Sequence, residues 1–146
     1  MDCVLDHDAT LALQIDRLMR RFHTDLHPRA QKIDAEKIGP IGGMILFVMS
    51  EQGPLTAQAI ADTLSRDKSQ ISRVMSLLMR KGLVDRTTDR EDARSATLRL
   101  SEKGKMQVAA FNGALVETAK SVLGPLSASE VQTFSGLMAK ILSSDR

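Results

Sequence analysis

Residues 55–104 read LTAQAIADTLSRDKSQISRVMSLLMRKGLVDRTTDREDARSATLRLSEKG. Asp67 suits a helix N-cap, because its carboxylate accepts from an orphan backbone N–H, and Gln70 three residues on makes an Asp-x-x-Gln variant of the capping box. Ile71, Val74, Met75 and Leu78 follow at i, i+3, i+4 and i+7, a single apolar stripe. Arg80 and Lys81 fall in the last turn, where the helix dipole favours cations, and Gly82 suits the left-handed position that ends a helix. At about 100° per residue, Ser69, Arg73, Ser76 and Arg80 lie opposite the stripe.

Working outward, Thr56 caps a shorter helix that runs to Leu64, with Ile60 and Leu64 as its apolar pair. Ser65-Arg66 leaves room only for a tight turn between the two helices. After Gly82, Leu83 to Arg86 reads as a strand, Thr87 to Ala93 as a charged tip, and Arg94 to Leu100 as an alternating return strand. Ser101 then caps another helix. Helix, turn, helix and a two-stranded ribbon in this order describe a winged helix-turn-helix at residues 55–100. A face of two cations and small hydroxyls can enter a major groove. Taken singly, a basic helix face is an ordinary solvated surface; the ribbon behind it makes the combination specific.

The stretch resembles the MarR family of bacterial transcription regulators. The residues that carry the resemblance are Leu55-Thr56, Ile60-Ala61, Ser69, Arg73, Leu78, Lys81-Gly82-Leu83-Val84, Arg86, Asp89-x-x-Asp92-x-Arg94 and Leu100-Ser101-Glu102-Lys103-Gly104. The resemblance implies a mainly α, α+β chain of about six helices and a two-stranded β wing. It also implies a homodimer built on the N- and C-terminal helices (8–38 and 101–143) and a repressor that binds a pseudo-palindromic operator. It further implies a small anionic aromatic effector, held between the dimer helices and the DNA lobes. Two departures stand out. Leu77 occupies a position where the family often has a cation, and Gly39, Gly42 and Gly43 replace larger or hydroxylated residues beside the usual effector pocket.

Length and composition set the outer bounds. A chain of 146 residues is one domain-sized unit, read as a single domain over 1–146. Residues 55–104 hold ten Lys and Arg against seven Asp and Glu, an excess of three, which leaves the rest of the chain at −1 of its net +2. Charge alone therefore does not argue for nucleic acid. Cys3 is the only cysteine, so an internal disulfide is excluded and a cytoplasmic protein is expected. The acidic MDCVLDHD start has no signal-peptide pattern, and no apolar run has the length of a membrane span.

Around the central stretch, residues 8–27 have helical period, with Leu11, Ile15, Leu18, Phe22 and Leu26 in one stripe, and Pro28 is expected to stop that helix near His27. Residues 29–38 read as a short helix or loop. Pro40 suits the first turn of a helix, Gly42-Gly43 either permits close packing or marks a hinge, and Met44 to Met49 reads as a buried run. Ser101 to Leu123 is a long helix broken by Gly124-Pro125, and Ser127-x-x-Glu130 is a capping box for the last one. The outer helices carry more apolar face than a 50-residue winged module covers, which a two-fold dimer accommodates.

The candidate DNA-binding residues follow from position. Ser69, Arg73 and Ser76 face the bases with Gln70 on the flank, and Arg73 has the reach for a guanine edge. Lys68 and Arg80 suit phosphates, which position the protein without reading sequence. In the wing, Arg86 meets phosphate or solvent, and Arg90 at the tip suits a narrow minor groove. Arg94 either pairs with Asp92 or reaches DNA. Arg17, Arg21 and His23 are the candidate cations for an effector.

Enzyme signatures are absent: no Gly-rich phosphate loop, HExxH or GxSxG occurs, so no catalytic residue and no cofactor is expected. His23 and His27, spaced i and i+4, admit a zinc-sensor reading and Cys3 a redox-sensor reading; the plainer alternatives are a solvated His pair and a frayed terminus. A winged-helix module that binds protein is the remaining alternative.

Overall fold

The computed structural model describes residues 2–87 and 96–144, with the backbone alone for residues 2–8. Among the described residues there are six helices and two strands in the order α1 (Asp2–Ile33), α2 (Gly39–Gln52), α3 (Ala57–Leu64), α4 (Lys68–Arg80), β1 (Val84–Thr87), β2 (Thr97–Leu100), α5 (Glu102–Val122) and α6 (Ala128–Ser143). This is the expected winged-helix layout.

The chain divides into two compact units, Pro28–Ala114 and Met1–His27 with Leu115–Arg146. The first holds the core. Ile38, Ile45, Leu46, Met49, Ile60, Ala61, Ile71, Met75, Leu78, Leu83, Val84 and Leu98 pack there as one cluster. They come from α2, α3, α4, the ribbon and the segment before α2, so every element of the winged module contributes to one apolar interior. The strands pair antiparallel with Val84 opposite Leu100 and Thr87 opposite Thr97. Leu55 adds a bridge on the other side of β2, exchanging N–H···O bonds of 3.0 and 2.8 Å with Leu98. The residue before the Thr56 cap thereby ties the first helix of the motif to the ribbon, a link that local pattern did not reveal.

Two expectations need correction. The first helix does not stop at His27: α1 continues through Pro28 to Ile33. Proline removes one intrahelical bond and disfavours helix for the residue before it. Packing outweighs that cost, because Arg29, Ala30 and Ile33 are partly buried and the Gln107 side-chain amide donates to the Ile33 carbonyl at 2.9 Å. Nor is Met44 to Met49 buried throughout. Met44 is 44% exposed, because the buried positions of α2 follow helical period through Gly42, Ile45, Leu46, Val48 and Met49 and leave Met44 outside.

The two glycines of α2 serve close packing. A methyl at Gly42 would stand 2.8 Å from the Ile38 Cβ, and one at Gly43 would stand 3.1 Å from the Phe111 ring. The start of α2 is held by Asp34, whose carboxylate accepts from the Ile38 and Gly39 N–H groups at 2.9 and 3.0 Å.

In the other unit, α6 has no buried residue. Leu11, Leu13, Ile15 and Met19 of α1 and Leu137, Ile141 and Leu142 of α6 are all at least half exposed. Ser121 donates to Asp25 at 3.1 Å. Among the described residues no helix is long and apolar enough to cross a membrane.

The capping box of α6 is complete: the Glu130 N–H donates to Ser127 Oγ at 3.2 Å, and the Ser127 N–H donates to Glu130 Oε1 at 2.9 Å. The backbone bond from Ser127, then that from its side chain, holds the Glu130 carboxyl below its usual value. A carboxyl lowered on folding stabilises above the ordinary carboxylate range and loses that contribution as pH falls through the lowered value. The stability difference between wild type and Glu130→Gln, measured by thermal melts, is therefore expected to be largest near neutral pH and to close as pH falls below about 4.

Candidate nucleic-acid interface

The geometry of α3 and α4 is set by their ends. Thr56 Oγ1 accepts from the Ala59 N–H at 3.1 Å and opens α3. Ser65 ends it in the left-handed region, at φ 50° and ψ 46°, an uncommon conformation for a residue with a Cβ. Its N–H bonds to the Asp62 carbonyl at 3.2 Å and that of Arg66 to the Ala61 carbonyl at 3.0 Å. The turn is thus closed within two residues. Asp67 then caps α4, its carboxylate accepting from the Gln70 N–H at 3.3 Å.

Helix α4 buries Ile71, Met75 and Leu78, with Val74 partly covered, and exposes Lys68, Ser69, Ser72, Arg73, Ser76 and Arg80. Gln70 is half-buried at the edge of that face. Five of the six helical candidates therefore share one open surface. Ser72, not among them, lies there too; its spacing of four from Ser76 is the signal that would have found it. Ser76 Oγ donates to the Ser72 carbonyl at 3.0 Å, so it meets a ligand as an acceptor. Lys68 sits in the first turn, where a cation opposes the helix dipole. A cation beside unpaired backbone N–H groups suits a phosphate oxygen.

The C-terminal end of α4 is gripped by the start of α5. Gly82, at φ +73°, closes a Schellman turn: its N–H donates to the Met79 carbonyl and that of Leu83 to the Leu78 carbonyl, both at 3.0 Å. Leu78 and Leu83 are fully buried against the same core. The carbonyls of Lys81, Gly82 and Leu83 find partners in the segment that follows the wing. Lys103 Nζ donates to the Lys81 carbonyl at 2.9 Å, Ser101 Oγ donates to that of Gly82, and the Ser101 N–H donates to that of Leu83 at 3.1 Å. Ser101 Oγ also accepts from the Gly104 N–H at 3.1 Å and so caps α5. Lys103 Nζ completes its set with Glu36 Oε1 at 2.7 Å. The hydrogen bond from Lys103 is the largest influence on Glu36 and holds its carboxyl below the usual value, assisted by the charges of Lys103 and Lys81 and opposed by desolvation and Asp34.

In the wing, Arg86 and Arg99 are exposed, with Asp85 opposite Arg99 in the register. Thr87 Oγ1 donates to the Thr97 carbonyl at 2.9 Å and lies 2.6 Å from Thr97 Oγ1, which pins the strands where they leave the core. Arg90, Asp92 and Arg94 lie outside the described residues. The effector candidates Arg17, Arg21 and His23 are exposed on α1, and Arg21 Nε pairs with Asp25 at 3.5 Å. His27 is exposed, and among the described residues no three His, Cys, Asp or Glu side chains gather as metal ligands would.

Comparisons with known proteins agree with this geometry. Residues 41–95 match the MarR family model. The exopolysaccharide II synthesis transcriptional activator ExpG of Rhizobium meliloti (strain 1021) is 34% identical over 104 residues, 71% of this chain. Residues 41–95 thus carry a MarR-type winged helix, and the chain is similar to MarR-family transcriptional regulators. A probable transcriptional regulator from Pseudomonas aeruginosa superposes with TM-score 0.70 at 25% identity, covering 92% of this chain and 98% of that one. Apo MarR from E. coli superposes with TM-score 0.76 at 20% identity, covering 90% and 96%, a likeness of fold. The chain spans 53% of the length of ExpG. The MarR relatives are transcriptional regulators and not enzymes.

A methyl at Gly104 overlaps the Leu83 carbonyl oxygen that Ser101 uses, whereas a methyl at Gly113 of the same helix meets open space. Gly104→Ala is expected to cost about 3 kcal/mol of overpacking, more than the ~1 kcal/mol that Ala offers over Gly in a helix. Gly113→Ala is expected to stabilise by about 0.5–1 kcal/mol. Denaturant melts of the two variants test the contrast.

Proposed function

We propose that the chain is a cytoplasmic, sequence-specific DNA-binding transcription regulator that acts as a homodimer on a pseudo-palindromic operator. One observation carries this reading: Lys68, Ser69, Ser72, Arg73, Ser76 and Arg80 form an open face on a helix capped at both ends and packed along its other side. Arg73 is the long donor at the middle of a row of serines, suited to a guanine edge, while the serines let the backbone approach. Lys68 and Arg80 at the two ends suit phosphates, as do Arg86, Arg90 and Arg94 of the wing.

The homodimer is supported by the apolar surface of the unit formed by Met1–His27 and Leu115–Arg146, where Ile141 and Leu142 are 69% and 75% exposed. A surface of this kind suits covering by a second copy. Two copies would present two recognition helices, and the distance between them would select the operator half-site spacing. We take the regulator to be a repressor released by a small anionic aromatic ligand, with Arg17, Arg21 and His23 as candidate cations. Such a ligand must bind the two helix spacings with different affinity to act. ExpG is named an activator. The same docked dimer blocks or recruits polymerase according to where its operator lies, which keeps both signs within this reading.

Binding to a duplex from upstream of the chain's own gene is expected to weaken linearly in log–log form with salt. Arg73→Ala is expected to cut the preference for that duplex over random DNA by roughly ten- to hundredfold. Equal binding by both proteins at every salt concentration would remove the reading. In solution, light scattering is expected to give the mass of two chains, and Leu137→Glu with Ile141→Glu to give one; a wild-type monomer at micromolar concentration would rule out the dimer.

A further inference from the structure

The grip on α4 reaches beyond the motif. Glu36 lies between α1 and α2, 45 positions before Lys81, and belongs to the same compact unit. Its carboxylate and the Lys81 carbonyl share one ammonium, Lys103 Nζ, at 2.7 and 2.9 Å. The Lys103 side chain is 52% exposed and that of Glu36 28%. A pair so open to solvent adds little to global stability. Its geometry is more informative. A Lys stem is flexible and pays rotamer entropy to hold one position, so a second acceptor is what keeps Nζ over the end of α4.

We propose that Glu36 is a positioning residue for DNA recognition: through Lys103 it holds the carbonyl of Lys81, the C-cap of α4, and fixes the angle at which that helix meets the groove. The proposal rests on the DNA-binding reading of α4. The N-terminal half of α4 carries Ser69 and Arg73, so a rotation about the C-terminal end moves those groups most. Neither base nor phosphate contact is assigned to Glu36 itself. Asp34, two residues earlier, binds the Ile38 and Gly39 N–H groups and seats the segment that carries Glu36. The anchor is thus tied to the start of α2, whose Ile45, Leu46 and Met49 share the core with α4.

The sign of one substitution separates this role from bulk electrostatics. Glu36→Gln removes a negative charge from a protein that binds a polyanion, so charge alone predicts tighter binding. Positioning predicts about fivefold weaker binding to the specific duplex, the size of effect one exposed pair can exert. It also predicts an unchanged salt slope, because no phosphate contact is lost. Lys103→Met is expected to lose the same factor, and Glu36→Gln with Lys103→Met to lose no more than either alone. Lys103→Arg, which retains donors to both acceptors, is expected to recover most of the affinity. Amide exchange at Gly82 and Leu83 is expected to quicken in Glu36→Gln, while the melting temperature stays within a few degrees. Unchanged or tighter specific binding by Glu36→Gln would overturn the proposal, as would additive losses in the double variant. If the wild type binds no duplex, the DNA reading itself fails. Exchange at Gly82 and Leu83 then still decides whether Glu36 holds the helix end.

Discussion

Three consecutive backbone carbonyls, those of Lys81, Gly82 and Leu83, decide how the recognition helix is mounted. They directly follow α4, where the chain has left helical geometry, and burying such carbonyls unpaired is costly. Here the partners come from Ser101 and Lys103, which lie on the far side of the wing in sequence. The ribbon must therefore return to the end of α4 before α5 can begin. Gly104 makes that return possible, since any larger residue would strike the Leu83 carbonyl. Mounting of the helix, closure of the wing and start of α5 are one event, not three.

The remaining elements of this unit make the mounting rigid. Leu55 bridges Leu98 of β2, so α3 is tied to the ribbon as well as to α4. The core draws on α2, α3, α4 and the ribbon together. Against that frame the turn between α3 and α4 and the first turn of α4 break local rules. Lys68 opposes the helix dipole, and Ser65 occupies a left-handed conformation that a glycine would take more readily. Local costs of this kind persist where the surroundings fix them and a ligand gains by them.

The other unit is built on the opposite principle. Helix α6 is well started by the Ser127–Glu130 box, yet it and α1 leave large apolar side chains in solvent. Under the proposed homodimer, a second copy would cover this exposure. One unit thus presents an open polar and cationic helix face, and the other presents apolar surface. In the proposed dimer, regulation would act through the spacing of the two recognition helices.

Much of this was legible in the chain alone. Thr56, Asp67, Gly82, Ser101 and Ser127 are read from residue type because capping is local chemistry: a short oxygen-bearing side chain or an unhindered φ suffices. The stripe of Ile71, Met75 and Leu78 announced which side of α4 is buried, and so which side is open, by periodicity alone. Three matters depended on tertiary structure. Pro28 does not end α1, because Gln107 and partial burial beyond it outweigh a local preference. Gly42 and Gly43 permit close packing, because Ile38 and Phe111 occupy the space their side chains would need. The L-S-E-K-G segment is visible as a motif, but its purpose is not, since the carbonyls it satisfies lie some twenty residues earlier and Glu36 lies farther still. Caps and stripes act within a few residues and are written in order; partners brought together by the fold are known only once the chain has closed on itself.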